Sequence, residues 1–203
     1  MKILFIADNF PPETNAAASR VFERAKHWVK EGHEVTFLTC APNFPQGKVF
    51  EGYKNKFYQT ETMEGMKVVR VKTFMAPNKG FFLRILDFLS FMFMAILVGL
   101  FLKKPDVISA TSPQFFAGYA GLILSKLKRR PFVLELGDLW PESMKGVSMM
   151  GDSFSYKTLE KLELFMYKHS NHIVAQTNSF KQNLTSRHIP DDKISVVMNG
   201  VDT

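Results

Sequence analysis

One segment of the chain places two carboxylates beside an aromatic side chain that is rare in this sequence. Asp138, Trp140 and Glu142 follow an apolar run typical of a buried strand, and Trp140 is one of 2 tryptophans. A carboxylate at the mouth of a crevice can act as a general acid or base, and an indole ring offers a ligand an apolar face. We therefore take Asp138 as the candidate catalytic residue, and Trp140 and Glu142 as candidate binding residues. The alternative, in which Trp140 is a packing anchor and Asp138 a cap, stays open at this stage.

A second candidate site lies in the loop that follows the first apolar run, residues 8–20. This loop is small and polar where it enters a predicted helix, and a helix N-terminus offers unpaired N–H groups to an anion. Arg20 can add a bidentate contact to a phosphate, and Asn15 is a further candidate binding residue. The loop contains no glycine, so the dinucleotide-binding fingerprint is absent and a classical Rossmann cofactor is not expected. An ordinary strand-to-helix loop is the alternative.

A third candidate is Ser112, which ends a predicted strand just before Pro113. We expect Ser112 to cap the helix that follows, with Pro113 at the first helical position and with a secondary role for Ser112 in ligand binding. The 5 histidines lack the spacing of a metal site, and the single cysteine, Cys40, cannot form a thiolate cluster. We therefore expect no metal. The nucleophile elbow of hydrolases and the phosphate-loop lysine of NTPases are also absent from the sequence.

These residues lie between short apolar runs that alternate with stretches of helical period. Strands separated by helices pair in parallel through right-handed crossovers, so we predict an α/β fold with a doubly wound, mainly parallel sheet of six or seven strands and a small β-hairpin insertion. In such sheets ligands bind beyond the carboxyl ends of the strands, where the candidate residues lie. The predicted strands are 2–7, 34–39, 107–111, 132–136, 172–175 and 194–197, the hairpin is 58–63 with 67–73, and the helices are 17–31, 81–102, 114–128, 155–169 and 179–187.

Composition and charge narrow the class of protein. The chain has 203 residues, and 26 Lys+Arg against 19 Asp+Glu give it a net charge of +7. This length is typical of one large domain, and a single cysteine excludes a disulfide scaffold. The first apolar run meets Asp8 too early for an export signal. Nucleic acid is not an expected partner, because the aromatic residues are not interleaved with the basic ones.

The predicted helix 81–102 is unusually rich in Phe, Met and Leu. Its uncharged part, 88–102, would extend about 22 Å, which is short of a hydrocarbon core of about 30 Å. A helix lying on an anionic membrane surface is one interpretation, while a membrane span and a buried core helix are the others. The candidate membrane-contact residues are Phe81, Phe82, Phe88, Phe91, Lys103 and Lys104.

Taken together, these residues resemble the amino-terminal half of GT-B-fold, retaining glycosyltransferases of family four. The resemblance is strongest to the bacterial surface-polysaccharide branch, which acts on lipid-linked sugars. It covers essentially the whole chain and depends on the order and spacing of short segments. These segments are Pro11-Pro12 with Arg20, residues 31–35, 104–108, 131–135 and 138–143, Asp192-Lys193-Ile194, and Asn199-Gly200-Val201-Asp202.

The resemblance implies a two-domain, metal-independent enzyme on the inner face of the bacterial plasma membrane, with a sugar nucleotide as donor substrate. Residues 1–198 would form the Rossmann-like domain that binds a polyprenyl-diphosphate-linked sugar, and 199–203 would begin the hinge to a carboxy-terminal donor-binding domain. A hexosyl group would pass to the lipid-linked saccharide during capsule, O-antigen or exopolysaccharide synthesis. Asp138 would be catalytic, and Asn15, Arg20, Ser112, Trp140 and Glu142 would bind the acceptor. This fragment alone is expected to be inactive.

The sequence departs from the pattern of this family at two positions. Relatives usually carry a Gly-Gly pair in the first loop, where this chain has Asn15-Ala16. Many relatives carry His or Arg just before the Asp of the Trp-Pro motif, where this chain has Gly137. Two other functions stay open: a non-catalytic α/β module that binds a phosphorylated ligand, and a membrane-anchored scaffold.

Overall fold

The computed structural model describes residues 1–75, 81–112, 114–139 and 154–199, with the backbone alone at 81–82 and 154–155. Each predicted helix and strand is present, with ends that differ by one or two residues. The strands are β1 (Lys2–Ile6), β2 (Glu34–Cys40), β3 (Tyr58–Met63), β4 (Met66–Val71), β5 (Val107–Ser112), β6 (Phe132–Leu136), β7 (His172–Ala175) and β8 (Ile194–Val196). The helices are α1 (Ala16–Lys30), α2 (Phe81–Phe101), α3 (Phe115–Lys128), α4 (Phe154–His169) and α5 (Asn178–Ser186), and Asp191–Lys193 forms a 3₁₀ turn.

The described strands form one sheet in the order β3-β4-β2-β1-β5-β6-β7-β8. All neighbouring pairs are parallel except β3 with β4, so the predicted doubly wound α/β fold is confirmed. The hairpin was predicted to be a small insertion, but it is part of the main sheet. Strand β4 pairs with β2 in parallel, so the sheet has 8 strands. Five of the six residues of β4 are buried, because it is covered on both faces like the central strands.

Alternate residues of β1 divide the core into two layers. Ile3 and Phe5 pack against Val21 and Ala25 of α1, whereas Leu4 and Ile6 face the layer that contains α2 and α3. Phe5 also stacks on Phe37 of β2, with ring centroids 4.8 Å apart. Helices α1 and α2 therefore cover opposite faces of the sheet.

The first helix begins where its sequence predicts a cap. The side chain of Asn15 accepts a hydrogen bond from the backbone N–H of Ala18 at 2.9 Å. The prediction for α3 is wrong by two residues, because this helix begins at Phe115 with Gln114 as its N-cap. Ser112 is instead the last residue of β5, and its hydroxyl donates to the backbone oxygen of Asp138 at 3.2 Å. Pro113 lies outside the described residues.

Candidate functional site

The candidate site lies where the connections of the sheet change direction. From β1 the chain runs outward to β2 on one side, and it later returns to add β5 on the other side. Loops leave the adjacent carboxyl ends of β1 and β5 on opposite faces of the sheet, which opens a crevice between them. Asp8 follows β1, Ser112 ends β5, and Gly137 and Asp138 follow β6. The topology therefore brings three predicted loops to one edge.

Arg20 reaches from α1 into this crevice and binds the ends of other strands. Its Nη2 donates to Oγ1 of Thr111 at 2.9 Å and to the backbone oxygen of Ser112 at 3.2 Å. With the amide oxygen of Gln176 turned toward it, Arg20 also donates from Nε at 3.0 Å, while the Gln176 amide nitrogen donates to the backbone oxygen of Gly137 at 3.2 Å. The guanidinium therefore joins the end of β5 to Gln176 after β7, and Gln176 extends the network to Gly137 after β6. A bidentate contact with a phosphate would require it to leave some of these partners.

The position of Arg20 explains the glycine at position 137. A Cβ atom on Gly137 would lie 2.5 Å from Nη2 and 2.6 Å from Nη1 of Arg20, and 2.6 Å from the backbone oxygen of Ser112. These distances are far below van der Waals contact, so a side chain here would displace the guanidinium. Arg20 thus fills the space next to the residue before Asp138.

A buried ion pair continues this network below the crevice. Glu135, which is 4% exposed, pairs with Arg24 of α1. Burial raises the pKa of the Glu135 carboxyl, and the charges of Arg24 and Arg20 act in the opposite direction. Burial also lowers the pKa of Arg20, against the effect of Glu135. Glu135 is therefore paired internally and joins Arg24 of α1 to the sheet.

Asp8 lies across the crevice and has different surroundings. Its backbone N–H donates to Oε1 of Gln114 at 2.7 Å, and its backbone oxygen accepts from Oγ1 of Thr39 at 3.0 Å. The thiol of Cys40 donates to Oδ1 of the carboxyl at 3.4 Å. Burial, together with the negative charge of Asp87 on α2, raises the pKa of Asp8 to about 7. The only sequence signal for Asp8 is an acid that ends an apolar strand.

A small depression opens beside Asp8 between α2 and α3. It is lined by Asp8, Gln114, Phe88, Phe91, Phe116 and Ala117. The rings of Phe88 and Phe116 stack with centroids 6.5 Å apart. The end of β1 therefore lies next to phenyl rings of α2 and α3.

The loops that follow β1 and β2 are fixed by two buried charged residues. Glu13 accepts from the backbone N–H groups of Asn43 and Phe44 at 2.8 and 2.9 Å. Arg70 of β4 donates to the backbone oxygens of Cys40 at 2.8 Å and Pro11 at 2.6 Å. The first loop is thus held against the segment that follows β2.

The predicted binding residues are distributed unevenly around the crevice. Asp138 is half-buried at its edge, and Asn15 lies at the start of α1, where its amide oxygen caps the helix and its Nδ2 is buried without a hydrogen-bond partner. Trp140 and Glu142 lie outside the described residues, as do Gly200–Thr203 of the predicted hinge. Their roles stay predictions.

The prediction of Phe91 as a membrane-contact residue is wrong. This side chain is 1% exposed, since Phe91, Ala95 and Val98 form the stripe of α2 that packs on the sheet. Phe88 is half-buried in the depression, whereas Lys103 and Lys104 are exposed. The side chains of Phe81 and Phe82 lie outside the described residues.

A second depression lies at the opposite, amino-terminal edge of the sheet. Its lining includes Lys2, Lys67, Lys103, Lys104 and Glu34. It contains none of the predicted catalytic residues. Within the described ranges, no three His, Cys, Asp or Glu side chains are arranged to hold a metal ion.

A comparison with known protein families shows to which family the chain belongs. Residues 17–203 match the family model described as Glycosyltransferase Family 4. The chain belongs to this family. The prediction of a glycosyltransferase is therefore confirmed at the level of the family, while the retaining outcome and the acceptor stay predictions.

Individual relatives agree with this placement. Over 154 residues, or 74% of this chain, the sequence is 29% identical to WcaI of Escherichia coli (strain K12), which its name describes as a colanic acid biosynthesis glycosyl transferase. The chain spans 37% of WcaI. Among solved structures, Anabaena Alr3699/HepE in complex with UDP-glucose superposes with a TM-score of 0.60 at 15% identity, over 100% of this chain and 44% of that chain.

The fold is shared with a protein of another named activity. The UDP-GlcNAc 2-epimerase from Methanocaldococcus jannaschii superposes with a TM-score of 0.52 at 14% identity, over 97% of this chain and 45% of that protein. Likeness at this identity shows the fold alone, which is the Rossmann-like half of a GT-B architecture. The chain thus spans less than half the length of these relatives.

Proposed function

We propose that this chain is the acceptor-binding half of a retaining glycosyltransferase that moves a hexosyl group from a sugar nucleotide to a lipid-linked saccharide in surface-polysaccharide synthesis. The observation that carries the proposal is the crevice at the β1–β5 switch, which gathers Asp8, Arg20, Ser112 and Asp138 in a member of this family. Residues 1–198 form the acceptor domain in this proposal, and 199–203 lead toward a donor-binding domain.

Asp138 is the proposed catalytic residue, at the crevice edge beside the end of β5. The contact between Ser112 and the backbone of Asp138 fixes the position of this loop against the sheet. Arg20 has a positioning role here in addition to its predicted contact with the acceptor, because it joins the same strand ends. Asn15, Ser112, Trp140 and Glu142 complete the proposed acceptor site.

The experiment uses the full-length protein that contains this chain, membrane lipids from its source as acceptor, and radiolabelled sugar nucleotides as donors. We expect transfer of one sugar to the lipid fraction, and we expect Asp138→Ala to abolish it while the circular dichroism spectrum is unchanged. Asp192→Ala, an exposed change outside the crevice, is the matched control. Full activity of Asp138→Ala would remove this residue from the mechanism, and the anomeric configuration of the product tests retention.

We further propose that the outer face of α2 rests on the cytoplasmic membrane surface. Leu86, Leu89, Phe93 and Leu100 are exposed along one side of this helix, opposite its buried stripe. The segment Leu83–Phe101 has a mean hydropathy of 2.1, and 22% of it is buried. A helix that is apolar on all sides requires a second apolar environment. The exposed Lys103 and Lys104 at its end fit anionic head groups.

Vesicle flotation tests this docking surface. We expect the protein to float with vesicles that contain anionic lipid, and we expect Lys103→Gln with Lys104→Gln to lower the bound fraction several-fold. Lys26→Gln with Lys30→Gln, on α1 at the opposite face of the sheet, makes the same change in net charge and serves as control. Equal loss in both pairs would contradict the proposal. Retention in native membranes after alkaline carbonate would instead favour a membrane-spanning scaffold.

The non-catalytic phospholigand module is distinguished by nucleotide binding. In the proposed enzyme the sugar nucleotide binds mainly to a second domain. Saturable binding of UDP-glucose to residues 1–203 alone would therefore favour the module.

A further inference from the structure

We infer that α4 forms a second part of the membrane-contact surface, so that the protein lies on an anionic bilayer with the whole layer of α2, α3 and α4 facing the lipid. This inference rests on the proposed docking of α2 and extends it to two further helices. The partner is a negatively charged lipid surface, and the new contact residues on α4 are Lys161, Leu162, Phe165 and Lys168.

The first argument is the position of α4 in the layer that contains α2. Helix α3 lies between these two helices and contacts both. Nζ of Lys128, at the end of α3, donates to the backbone oxygen of Leu102 at 2.8 Å, just after α2. Oη of Tyr119 donates to the backbone oxygen of Leu162 in α4 at 2.7 Å. The outer sides of the three helices therefore face the same way, because their buried sides share one core cluster, which contains Phe91, Ala117 and Met166.

The second argument is the apolar part of the outer side of α4. Leu162 and Phe165 are 40% and 49% exposed, and a spacing of three residues places them on the same side of the helix. Leu127, at the end of the neighbouring α3, is 58% exposed. Exposed apolar side chains that are grouped on one face mark a contact with a protein or a membrane. In this layer α3 and α4, as well as α2, present such side chains.

The third argument is the separation of charge across α4. Both acidic residues of this helix, Glu160 and Glu163, pair with Arg187 at the end of α5, with N–O distances of 3.8 and 2.6 Å. The acidic side of α4 is therefore the side next to α5. The lysines of α4 are all exposed, and they are Lys157, Lys161 and Lys168.

The fourth argument is a row of cations across the ends of the three helices. Burial and the positive charge of Lys104, which follows α2, lower the pKa of Lys128. Burial and the charge of Lys126 on α3 lower the pKa of Lys193, with the adjacent aspartate acting in the opposite direction. Nζ of Lys193 donates to the backbone oxygen of Lys168 at 2.7 Å, so the row reaches the end of α4. These like charges repel one another, and an anionic surface stabilises them.

An anionic bilayer fits both properties of this layer. Its interface accepts apolar side chains at the boundary with the acyl chains and cations at the level of the phosphates. A nucleic acid would neutralise the lysines but would leave Leu162 and Phe165 in water. A second copy of the same face would bring like charges together, which is unfavourable.

Vesicle flotation with the full-length protein tests the contact of α4. The vesicles contain equimolar phosphatidylglycerol and phosphatidylcholine, or phosphatidylcholine alone. We expect binding to the anionic vesicles, about tenfold weaker in Lys161→Gln with Lys168→Gln and about fivefold weaker in Phe165→Ser. The control is Lys26→Gln with Lys30→Gln on α1, which makes the same change in net charge and should leave the binding close to that of the wild type.

Quenching by brominated lipid measures the contact directly. In Phe165→Trp the new indole should lie within the head-group layer. We therefore expect anionic vesicles with brominated acyl chains to quench a larger fraction of the tryptophan fluorescence than in the wild type, in which Trp28 lies on α1 at the opposite face of the sheet.

Several results would overturn the inference. Unchanged vesicle binding by both α4 variants, while Lys103→Gln with Lys104→Gln weakens it, would limit the surface to α2. Equal quenching in Phe165→Trp and the wild type would place α4 away from the lipid. A dimer of the full-length protein that Phe165→Ser dissociates would assign the layer to a second copy.

Two measurements on the same preparations separate the levels of proposal. A wild type that binds no vesicles contradicts the docking of α2 and of α4 together. A wild type that binds vesicles but transfers no radiolabelled sugar to membrane lipid contradicts the proposed reaction and leaves the docking surface in place.

Discussion

The two sides of the crevice handle charge in opposite ways. On the α1 side, Arg24 forms an ion pair with Glu135, whose charge also acts on Arg20, and Arg20 donates to the backbone oxygen of Ser112. On the α2 side, Asp8 lies near two further carboxylates, Asp87 and Glu13, and beside phenyl rings. Burial raises the pKa of a carboxyl on both sides, but cations oppose the shift only on the first.

This difference in charge pairing predicts opposite effects of substitutions on the stability of the two sides. On the paired side each charge has a partner in place, so removing one partner leaves the other buried and uncompensated. The acidic side lowers stability at neutral pH, and a carboxyl group kept at such a cost is a candidate for binding or catalysis. Substitutions should therefore destabilise the protein on the α1 side and stabilise it on the α2 side.

The largest effect is expected from Arg24→Met. This change leaves the Glu135 carboxyl buried without its ion-pair partner, so we expect the free energy of unfolding to fall by about 3 kcal/mol. Urea denaturation at pH 7 measures it. Lys26→Met on the same helix breaks only the exposed pair with Glu23 and should cost less than about 0.5 kcal/mol. Similar losses in the two variants would show that the Arg24 pair contributes no more than a surface contact.

The second effect concerns the contact of Gly137 with Arg20. In Gly137→Ala the new methyl group overlaps the guanidinium and the backbone oxygen of Ser112, so we expect a loss of about 2 kcal/mol in stability. A double-mutant cycle with Arg20→Met separates the two contacts, since only the guanidinium is removed. We expect the two losses to be less than additive by about 1 kcal/mol. Strict additivity would mean that the clash with Ser112 dominates.

A gain in stability is expected on the acidic side. The pKa of Asp8 is raised from 3.8 to about 7 in the folded protein, so between these values the folded state binds more protons than the unfolded state. Stability therefore falls as the pH rises through this window, and the full cost is present above pH 7. Asp8→Asn removes the cost and should be more stable than the wild type by about 2 kcal/mol at pH 8, with little difference at pH 4. Thermal unfolding at pH 8 and pH 4 measures this difference. An equal gain in stability at the two pH values would contradict this account.

The sheet and the start of α1 could largely be predicted from the sequence, whereas the contacts of Arg20 and Arg24 with distant strands could not. Strands such as Phe132–Leu136 appear as short apolar runs, and the hairpin turn follows from Glu64-Gly65, whose φ angles are 48° and 77°. Arg20 can be recognised as a candidate binding residue because it lies in the first turns of the helix that follows β1. Local patterns suffice for features whose cause lies within a few neighbouring residues.

The acidic side could not be predicted, because its cause is tertiary. Asp8 acquires its properties from Cys40, Asp87 and Gln114, which come from three different elements. The prediction for Phe91 is wrong for the same reason. The sequence of a helix that is apolar on all sides does not indicate which side faces the sheet. The start of α3 was misplaced because Ser112 continues β5 and bonds to the loop of Asp138.

The smallest expected effect concerns the thiol that touches Asp8. Burial and the negative charge of Asp8 raise the pKa of the Cys40 thiol, so the thiol stays protonated and donates to the Asp8 carboxylate. This bond opposes the upward shift of the Asp8 pKa. Cys40→Ala removes the donor and should move the Asp8 titration to higher pH, by less than about 1 kcal/mol in free energy.

Carbon-13 NMR of the Asp8 carboxyl measures the midpoint of its titration in the wild type and in Cys40→Ala. Cys40→Ser keeps a hydroxyl donor of similar size and should restore the wild-type midpoint. Since a neutral donor can oppose the neighbouring carboxylates only weakly, the midpoint in all three proteins should stay well above the usual value of an aspartate. A midpoint near 4 in any of them would mean that Asp8 is solvated or paired with a cation, and the contrast between the two sides of the crevice would then be lost.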